Sequence, residues 1–315
     1  MEGGYTLTAE LPHDEANVVW GDNTSKTNTI KIEKRAVNVK LQKHHETYKN
    51  AAFEPFEAKE GTDYTADGES GVTGLISGDD LKITLTPSSD TDAGSYAWNS
   101  IAWSNDNYLV TVTNEKEEVF TIDPAPITVQ IENKSSVYGN EIADLTYIVT
   151  GNLYDTADTI FSLSTKATSA SNVGSYAIVG TATGENSKNY TVTFSGSNDA
   201  EGVYTITKRN LTITVTGSIA YGEDAPTKVA DYTVNFSDAL EGDVETLKGL
   251  LSITAGDYSA GNDKGNYDLT VSGNEDAASD QTWKNYNISY GTSTLTVEAR
   301  AIEVKIADVT TTYGT

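Results

Sequence analysis

The stretch Tyr204–Val215, YTITKRNLTITV, holds the end of one predicted β-strand, a short junction and the start of the next strand. Apolar and polar residues alternate on both sides of the junction, which is the period of a strand buried on one face. A flexible linker would need a Gly/Ser tract or a longer polar run than the junction TKRN. The stretch therefore predicts two β-rich modules that follow each other almost directly.

The opening strand of this stretch recurs along the chain. Its four copies are VNVKL from Val37, ITVQI from Ile127, LTITV from Leu211 and IEVKI from Ile302. A tyrosine follows each copy by six or seven residues, and glycine follows that tyrosine in three of the four cases. Tyr-Gly at a strand end predicts a tight turn, because glycine readily takes a positive φ. Lys49 replaces the glycine after Tyr48, so we expect the first turn to differ or to be strained.

Further landmarks recur in the same order within each repeat. They are a leucine before an Asp-bearing turn (Leu75, Leu153, Leu240), a Gly-x-Tyr (Gly94, Gly174, Gly265) and an Asn-Tyr (Asn107, Asn189, Asn285). Tyrosines at such landmarks are typical of a core or of a turn anchor, because the ring is apolar and the hydroxyl seeks a partner. The tyrosines that we predict to lie in the core are Tyr138, Tyr176, Tyr190 and Tyr221.

The repeat also predicts boundaries. Residues 1–35 should be the C-terminal part of a repeat, 36–125, 126–209 and 210–300 three whole repeats, and 301–315 the first strand of a further repeat. The predicted fold class is all-β, a tandem array of small modules that are each an Ig-like β-sandwich or a β-grasp-like sheet. Because the junctions are short, the modules should stack into an elongated rod that gains roughly 30 to 40 Å per module.

At this point the landmarks resemble a known family. The Tyr-Gly turn, GSYAI at 174–178, NYTVTF at 189–194 and the closing YTITKRNLTITV together look like the MBG domain of the YGX type. The middle repeat is the most similar, and the likeness extends over essentially the whole chain. This resemblance implies a module repeated in large bacterial surface proteins and adhesins, hence an extracellular location on the cell surface or in the secreted fraction. The motifs are turns and aromatic anchors, so the resemblance implies no catalytic residue and no substrate.

The charge of the chain argues against two classes of partner. Forty-six acidic residues against 21 basic ones give a net charge of -25, which repels nucleic-acid phosphates and anionic lipid head groups. Absence of cysteine excludes disulfide scaffolds, thiolate metal sites and cysteine nucleophiles. No apolar run approaches the roughly 18 residues of a membrane-spanning helix, so we expect no direct membrane insertion.

The few histidines do not form a recognisable catalytic motif. The chain has His13, His44 and His45, and HHETYK does not match H-E-x-x-H. On a strand, neighbouring side chains point to opposite faces, so His44 and His45 should not share a site. Paired carboxylates are expected by composition alone in so acidic a chain. We therefore expect that the protein is not an enzyme.

Calcium is the one cofactor for which the sequence offers ligands, because hard cations favour clustered carboxylates in loops. The leading candidates are Asp79, Asp80, Asp90 and Asp92, with Asp199, Glu201, Asp243, Asp257 and Asp263 further along the chain. None of them fits the spacing of the known calcium-binding loop. An acidic surface that keeps the protein soluble explains the same residues.

Two tryptophans are candidate ligand-binding residues. Trp103 precedes SNDNY and Trp283 precedes KNY, and an exposed aromatic ring beside Asn and Asp often grips carbohydrate. Packing of either ring beneath a loop is the structural alternative.

The predicted function is that of a structural and adhesive repeat region in a bacterial cell-surface or secreted protein. The region would act as a stalk, a monomeric rod within a longer chain, and repeated weak contacts to a host or matrix glycan or protein would gain avidity along it. Two alternatives stay open: a specific glycan- or protein-binding module, and a noncatalytic spacer in a secreted enzyme.

Overall fold

The computed structural model describes residues 4–8, 27–273, 281–311 and 313. Its regular structure is mostly β-strand, so the predicted all-β class is confirmed. The described helices are short. The α-helices are α1 Val244–Gly249 and α2 Gln281–Lys284, and the 3-10 helices are Ala157–Thr159, Ser187–Asn189, Val229–Asp231 and Glu241–Asp243. None of the helices in this part of the chain is long and apolar enough to cross a membrane.

The chain divides into two compact units. The first comprises Met1–Thr128, Val149–Ser162 and Thr181–Thr193. The second comprises Val129–Ile148, Leu163–Gly180 and Phe194–Thr315. Neither unit coincides with a single repeat, and the repeat boundaries stay a prediction. Most of the predicted partial repeat 1–35, including His13, lies outside the described residues.

Twenty-five strands are described, and most are short. Up to residue 123 they are β1 Gly4–Thr8, β2 Thr27–Lys31, β3 Arg35–Leu41, β4 His44–Thr47, β5 Phe56–Glu57, β6 Tyr64–Ala66, β7 Ile83–Thr86, β8 Gly94–Tyr96, β9 Ser100–Trp103, β10 Tyr108–Val112 and β11 Phe120–Asp123. From 125 to 207 they are β12 Ala125–Ile131, β13 Lys134–Val137, β14 Tyr147–Thr150, β15 Ser162–Thr165, β16 Gly174–Thr181, β17 Tyr190–Ser195 and β18 Gly202–Thr207. The remainder are β19 Arg209–Ala220, β20 Thr233–Ser237, β21 Leu251–Thr254, β22 Gly265–Asp268, β23 Thr270–Gly273, β24 Tyr286–Tyr290 and β25 Thr294–Glu298.

In the first unit, the opening segment of a repeat contributes to two sheets. Strand β3 pairs in parallel with β10 and antiparallel with β6. Strand β4 pairs in parallel with β11, which also pairs antiparallel with β8. A third sheet has the order β5-β7-β9. The chain thus returns twice to run alongside its own opening segment.

The second unit repeats this arrangement with one continuous strand. The first half of β19 pairs antiparallel with β20 and in parallel with β24, and its second half pairs in parallel with β25. Another sheet of this unit pairs β13 in parallel with β18 and β18 antiparallel with β16. Mixed sheets of this kind were not predicted from the alternating runs, because alternation reports burial and not the direction of a partner strand.

The alternation itself correctly predicts which side chains enter the core. In three of the opening runs the odd positions are buried: Val37, Val39 and Leu41; Ile127, Val129 and Ile131; Leu211, Ile213 and Val215. Each fully buried side chain of this size stabilises the fold by about 1.5 to 3 kcal/mol relative to an exposed one. The fourth run differs, since the structure has no strand over residues 301–311 and Ile302 is exposed. An alternating run becomes a strand only when neighbours pair with its backbone and cover its apolar face.

Candidate functional site

The landmarks of successive predicted repeats meet at one carboxylate in the first unit. The hydroxyl of Tyr48 donates a hydrogen bond of 2.8 Å to Asp155 Oδ2, and the hydroxyl of Tyr190 donates one of 2.9 Å to the same atom. The two rings lie edge to face with centroids 5.4 Å apart. Tyr48 comes from the predicted repeat 36–125, whereas Asp155 and Tyr190 come from 126–209. We call this contact the first joint.

The second unit contains the same contact one repeat later. Tyr138 donates to Asp243 Oδ2 at 3.1 Å and Tyr286 donates to that oxygen at 2.6 Å. The rings of the two tyrosines are again edge to face, with centroids 5.6 Å apart. Here Tyr138 comes from 126–209, and its partners come from 210–300. We call this contact the second joint.

A buried asparagine extends each joint. Asn189 Oδ1 accepts from the backbone N–H of Ala93 at 2.8 Å, and its Nδ2 donates to Asp92 Oδ1 at 2.9 Å. In the second joint, Asn285 Oδ1 accepts from the Val173 N–H at 2.9 Å and its Nδ2 donates to Asn172 Oδ1 at 2.8 Å. Both asparagines are buried, so losing either bond would leave a buried amide group unpaired. The Asn-Tyr landmark is therefore a contact motif.

The loop that faces each asparagine is held by the Gly-x-Tyr landmark. The hydroxyl of this tyrosine donates to the backbone carbonyl four residues earlier in all three repeats. The pairs are Tyr96 with Asp92 at 2.9 Å, Tyr176 with Asn172 at 2.8 Å and Tyr267 with Asp263 at 2.7 Å. The residue that contacts the next repeat is thus positioned by its own strand.

In the second joint, glycine after the tyrosine allows a close approach. Gly139 has a φ of +80°, and a Cβ placed on it would lie 2.6 Å from both terminal methyl carbons of Leu240. Leu240 is the leucine of the recurring Asp-bearing turn. Arg209 binds the residues on either side of Gly139. Its guanidinium donates to the carbonyl of Tyr138 at 3.3 Å and to Asn140 Oδ1 at 3.0 Å.

In the first joint, the turn after the tyrosine contains a residue with a positive φ that is not a glycine. The positive φ, 49°, falls on Asn50, one residue beyond the position of Lys49. Asparagine tolerates this conformation better than lysine does, because its short amide can bond locally. The Asn50 Nδ2 donates to Asp155 Oδ1 at 3.0 Å. The expectation that this turn would differ is confirmed.

The first joint also contains an ion pair. Lys188 Nζ lies 2.7 Å from Asp92 Oδ2.

The electrostatics of the joints favour protonated phenols. Burial, and after it the hydrogen bond to the Asp155 carboxylate, raises the pKa of Tyr190 from 10.0 to about 12. Burial and the same carboxylate also raise the pKa of Tyr48. In the second joint burial and Asp243 raise the pKa of Tyr286 and of Tyr138. On the other side of the first joint, the hydrogen bond from Lys188 lowers the pKa of Asp92.

These shifts predict a loss of stability in alkali. The free energy of unfolding should fall as the pH rises from 10.0 to about 12. In this window the folded chain keeps the Tyr190 proton while the unfolded chain releases it, and the state that binds more protons loses stability as pH rises. Below this window the contribution is fully present. Urea unfolding at a series of pH values measures the slope, and Tyr190→Phe should make it shallower; an equal slope in the variant would contradict the assignment.

A matched pair of glycine variants separates the joint contact from backbone strain. Gly139 and Gly222 both have a positive φ, +80° and +87°, so alanine at either position costs about 1 kcal/mol through the backbone. Gly139→Ala should cost about 1 to 3 kcal/mol more, because only its new methyl group collides with Leu240. The unfolding free energies of both variants in urea measure this difference. Equal losses would mean that Leu240 does not rest on Gly139.

The structure only partly supports the predicted core tyrosines. Tyr138 and Tyr190 are buried, as predicted, and Tyr176 is half-buried at the edge of the core. The prediction for Tyr221 is wrong, because 43% of this residue is exposed. Tyr138, which also precedes a glycine, is covered by residues of the following predicted repeat, whereas Tyr221 has no such cover within the described residues. The sequence did contain a signal for the joints, the fixed order of Tyr, Asp and Asn-Tyr in every repeat.

The two candidate ligand-binding tryptophans have different surroundings. Trp283 is only 8% exposed and packs in the core of the second unit, so its ring faces are not presented to solvent. Trp103 ends β9 and is 40% exposed. Of these two tryptophans, Trp103 is therefore the one that offers a ring on which a ligand could stack.

The leading calcium candidates are engaged with other partners. Asp79 accepts from the Tyr108 hydroxyl at 2.5 Å, and Asp80 accepts from the Lys82 N–H at 2.8 Å. Asp90 accepts from Ser88, and Asp92 lies in the first joint. Within the described ranges, no three His, Asp or Glu side chains are grouped as metal ligands would be. Calcium binding stays a prediction from composition.

The histidine pair behaves as predicted for neighbours on a strand. The Nδ1 of His44 lies 3.2 Å from Asp63 Oδ1, and the His44 ring stacks on Phe56. The Nδ1 of His45 lies 3.0 Å from Asp123 Oδ2. The two rings therefore do not share a site.

Comparison with known proteins bears on the middle of the chain. No curated protein matches the sequence. A family model does match, over residues 127–200, and this segment contains Tyr138, Asp155, Asn189 and Tyr190 of the two joints. The segment 127–200 is an MBG domain of the YGX type.

Proposed function

We propose that this chain is a noncatalytic structural repeat region of a bacterial cell-surface or secreted protein, in which MBG-type modules form a stiff stalk. The observation that carries the proposal is that the first and second joints use the same residue types, at the same landmarks, with the same hydrogen-bond pattern. A contact that recurs at a fixed place in each repeat gives successive modules one preferred relative orientation.

The polar landmarks serve these contacts. Asp155 and Asp243 each accept from two phenols, and Asn189 and Asn285 each use both ends of the amide. Bending a joint would leave the buried phenols and the buried asparagine amides unpaired, and each unpaired buried donor or acceptor costs about 1 to 3 kcal/mol. Stiffness between modules is therefore a consequence of the same residues that define the repeat.

The remaining properties fit a stalk outside the cell. A net charge of -25 keeps an extended chain soluble and discourages association between copies. The resemblance of the repeats to modules of bacterial surface proteins supports a location on the cell surface or in the secreted fraction. An adhesive role would rest on Trp103, an exposed tryptophan, and would gain avidity by repetition along the stalk.

Small-angle scattering tests the stalk. Three modules of roughly 30 to 40 Å make a rod of about 100 Å, whose radius of gyration is about 30 Å. A compact globule of this chain length would have a radius of gyration of about 20 Å. We expect the larger value for the wild type and a broader distance distribution for the double variant Asp155→Ala/Asp243→Ala. A wild-type value near the smaller one would contradict the proposal.

A further inference from the structure

The surface around Tyr221 carries the groups that build the joints, at the equivalent positions of the predicted repeat 210–300. In the order of landmarks, Tyr221 corresponds to Tyr48 and Tyr138, and Gly222 corresponds to Gly139. The two residues before the Gly-x-Tyr correspond as well. These pairs are Asp92 and Ala93 in the predicted repeat 36–125, Asn172 and Val173 in 126–209, and Asp263 and Lys264 in 210–300.

These groups are uncovered. Tyr221 is 43% exposed, whereas Tyr48 is 2% and Tyr138 8% exposed. Asp263 and Lys264 are exposed too, while Ala93 and Val173 are half-buried in their joints. A methyl group on Gly222 would find its nearest neighbour, the Arg300 Nη1, at 3.7 Å. The space that Leu240 fills beside Gly139 is therefore open beside Gly222.

The groups also line one cavity. Tyr221, Gly222, Asp263, Lys264 and Arg300 surround a cavity of about 730 Å³. Arg300 stands two residues before an opening run, as Arg209 does in the second joint. Arg209 donates hydrogen bonds to the turn after Tyr138, whereas the Arg300 Nη1 lies beside Gly222 in the turn after Tyr221.

The chain after this surface has apolar side chains without cover. Ile302 borders the cavity, and Val304 and Ile306 are exposed at alternate positions of the run IEVKI. In the other repeats such a run is buried by the strands that follow it in its own module. Both the cavity and the exposed run therefore lack the same kind of partner.

We propose that Tyr221, Gly222, Asp263, Lys264 and Arg300, together the Tyr221 face, dock a further module of the same kind joined after residue 300. The inference rests on the proposed stalk and extends it. The docked module would place a leucine on Gly222, an aspartate carboxylate at the Tyr221 hydroxyl, and an asparagine amide between the Lys264 N–H and the Asp263 carboxylate. Each of these contacts has its counterpart in the first or second joint.

Tyrosine nitration mapped by mass spectrometry tests the proposal. In the full native chain, Tyr221 should react at a rate close to that of the exposed Tyr313, and Tyr138 should react slowly. The comparison protein is the full chain with a second copy of residues 210–300 inserted after residue 300. In that protein the reactivity of Tyr221 should fall to the level of Tyr138. An unchanged rate at Tyr221 would overturn the proposal.

Two controls keep the outcome interpretable. Asp243→Ala in the inserted copy alone should restore the reactivity of Tyr221. If Tyr221 stays protected, the inserted module does not use this carboxylate to cover it, and the proposal is overturned. Tyr221→Phe should change the unfolding free energy of the lengthened chain but not of the native one. Slow nitration of Tyr48 and Tyr138 in every protein shows that the existing joints are intact. If Tyr221 stays reactive in the lengthened chain while Tyr48 and Tyr138 react slowly, the docking proposal is wrong, but the proposed stalk is not contradicted.

Discussion

Asp243→Ala should lower the free energy of unfolding of the second unit by about 3 kcal/mol or more. The carboxylate accepts hydrogen bonds from Tyr138 at 3.1 Å and from Tyr286 at 2.6 Å, and both phenols are buried. A hydrogen bond to a charged group contributes about 1.5 to 3 kcal/mol, and the variant removes two of them at once. Urea unfolding followed by tryptophan fluorescence measures the loss.

A surface variant provides the control for this experiment. Asp268 lies on β22 with an exposed side chain, and Asp268→Ala should change stability by no more than about 0.5 kcal/mol. In a double-mutant cycle, Asp243→Ala and Tyr138→Phe should not add, because they remove the same hydrogen bond. Losses that add, or a loss from Asp243→Ala no larger than the control, would show that the second joint is not the source of stability.

Trp283→Ala should destabilise the second unit by about 3 to 5 kcal/mol. The indole packs in the core and lies so close to the backbone of Gly273 that a Cβ there would come within 1.9 Å of the ring. Its removal leaves a cavity in the core that also contains Tyr286. Thermal or urea unfolding measures the effect.

Trp103→Ala is the matched control and also tests adhesion. Because Trp103 is 40% exposed, its loss should cost about 0.5 kcal/mol, far less than that of Trp283. If Trp103 stacks on carbohydrate, the variant should lose signal on a glycan array while its melting temperature stays close to that of the wild type. Equal losses of stability in the two tryptophan variants would contradict the assignment of Trp283 to the core and Trp103 to the surface.

The strands were largely predictable because their signal is local. Alternation in runs such as LTITV at Leu211 depends only on neighbouring residues, and it correctly assigned Leu211, Ile213 and Val215 to the core. The run from Ile302 shows the limit of this signal. Its alternation is equally regular, yet the structure forms no strand there, since pairing partners and a covering layer are not local properties.

The candidate site was less predictable for the same reason. Order and spacing identified Tyr138, Asp243 and Tyr286 as recurring landmarks, but they did not show that a tyrosine of one repeat bonds to the aspartate of the next. Reading Tyr221 as a core residue failed because burial of the Tyr-Gly tyrosine depends on a neighbouring repeat. The two tryptophans were equivalent by sequence context, and only packing separated buried Trp283 from exposed Trp103.

By itself, the sequence determined the β-rich class, the repeated landmarks and the short junctions of this protein, since these follow from local periodicity and turn chemistry. The tertiary structure alone decided that opening runs pair in parallel with later strands. It alone also decided that Asp155 and Asp243 each accept hydrogen bonds from two tyrosines of successive predicted repeats. The Tyr48–Asp155 and Tyr138–Asp243 hydrogen bonds join residues that are 107 and 105 positions apart, so they depend on long-range packing and not on local sequence.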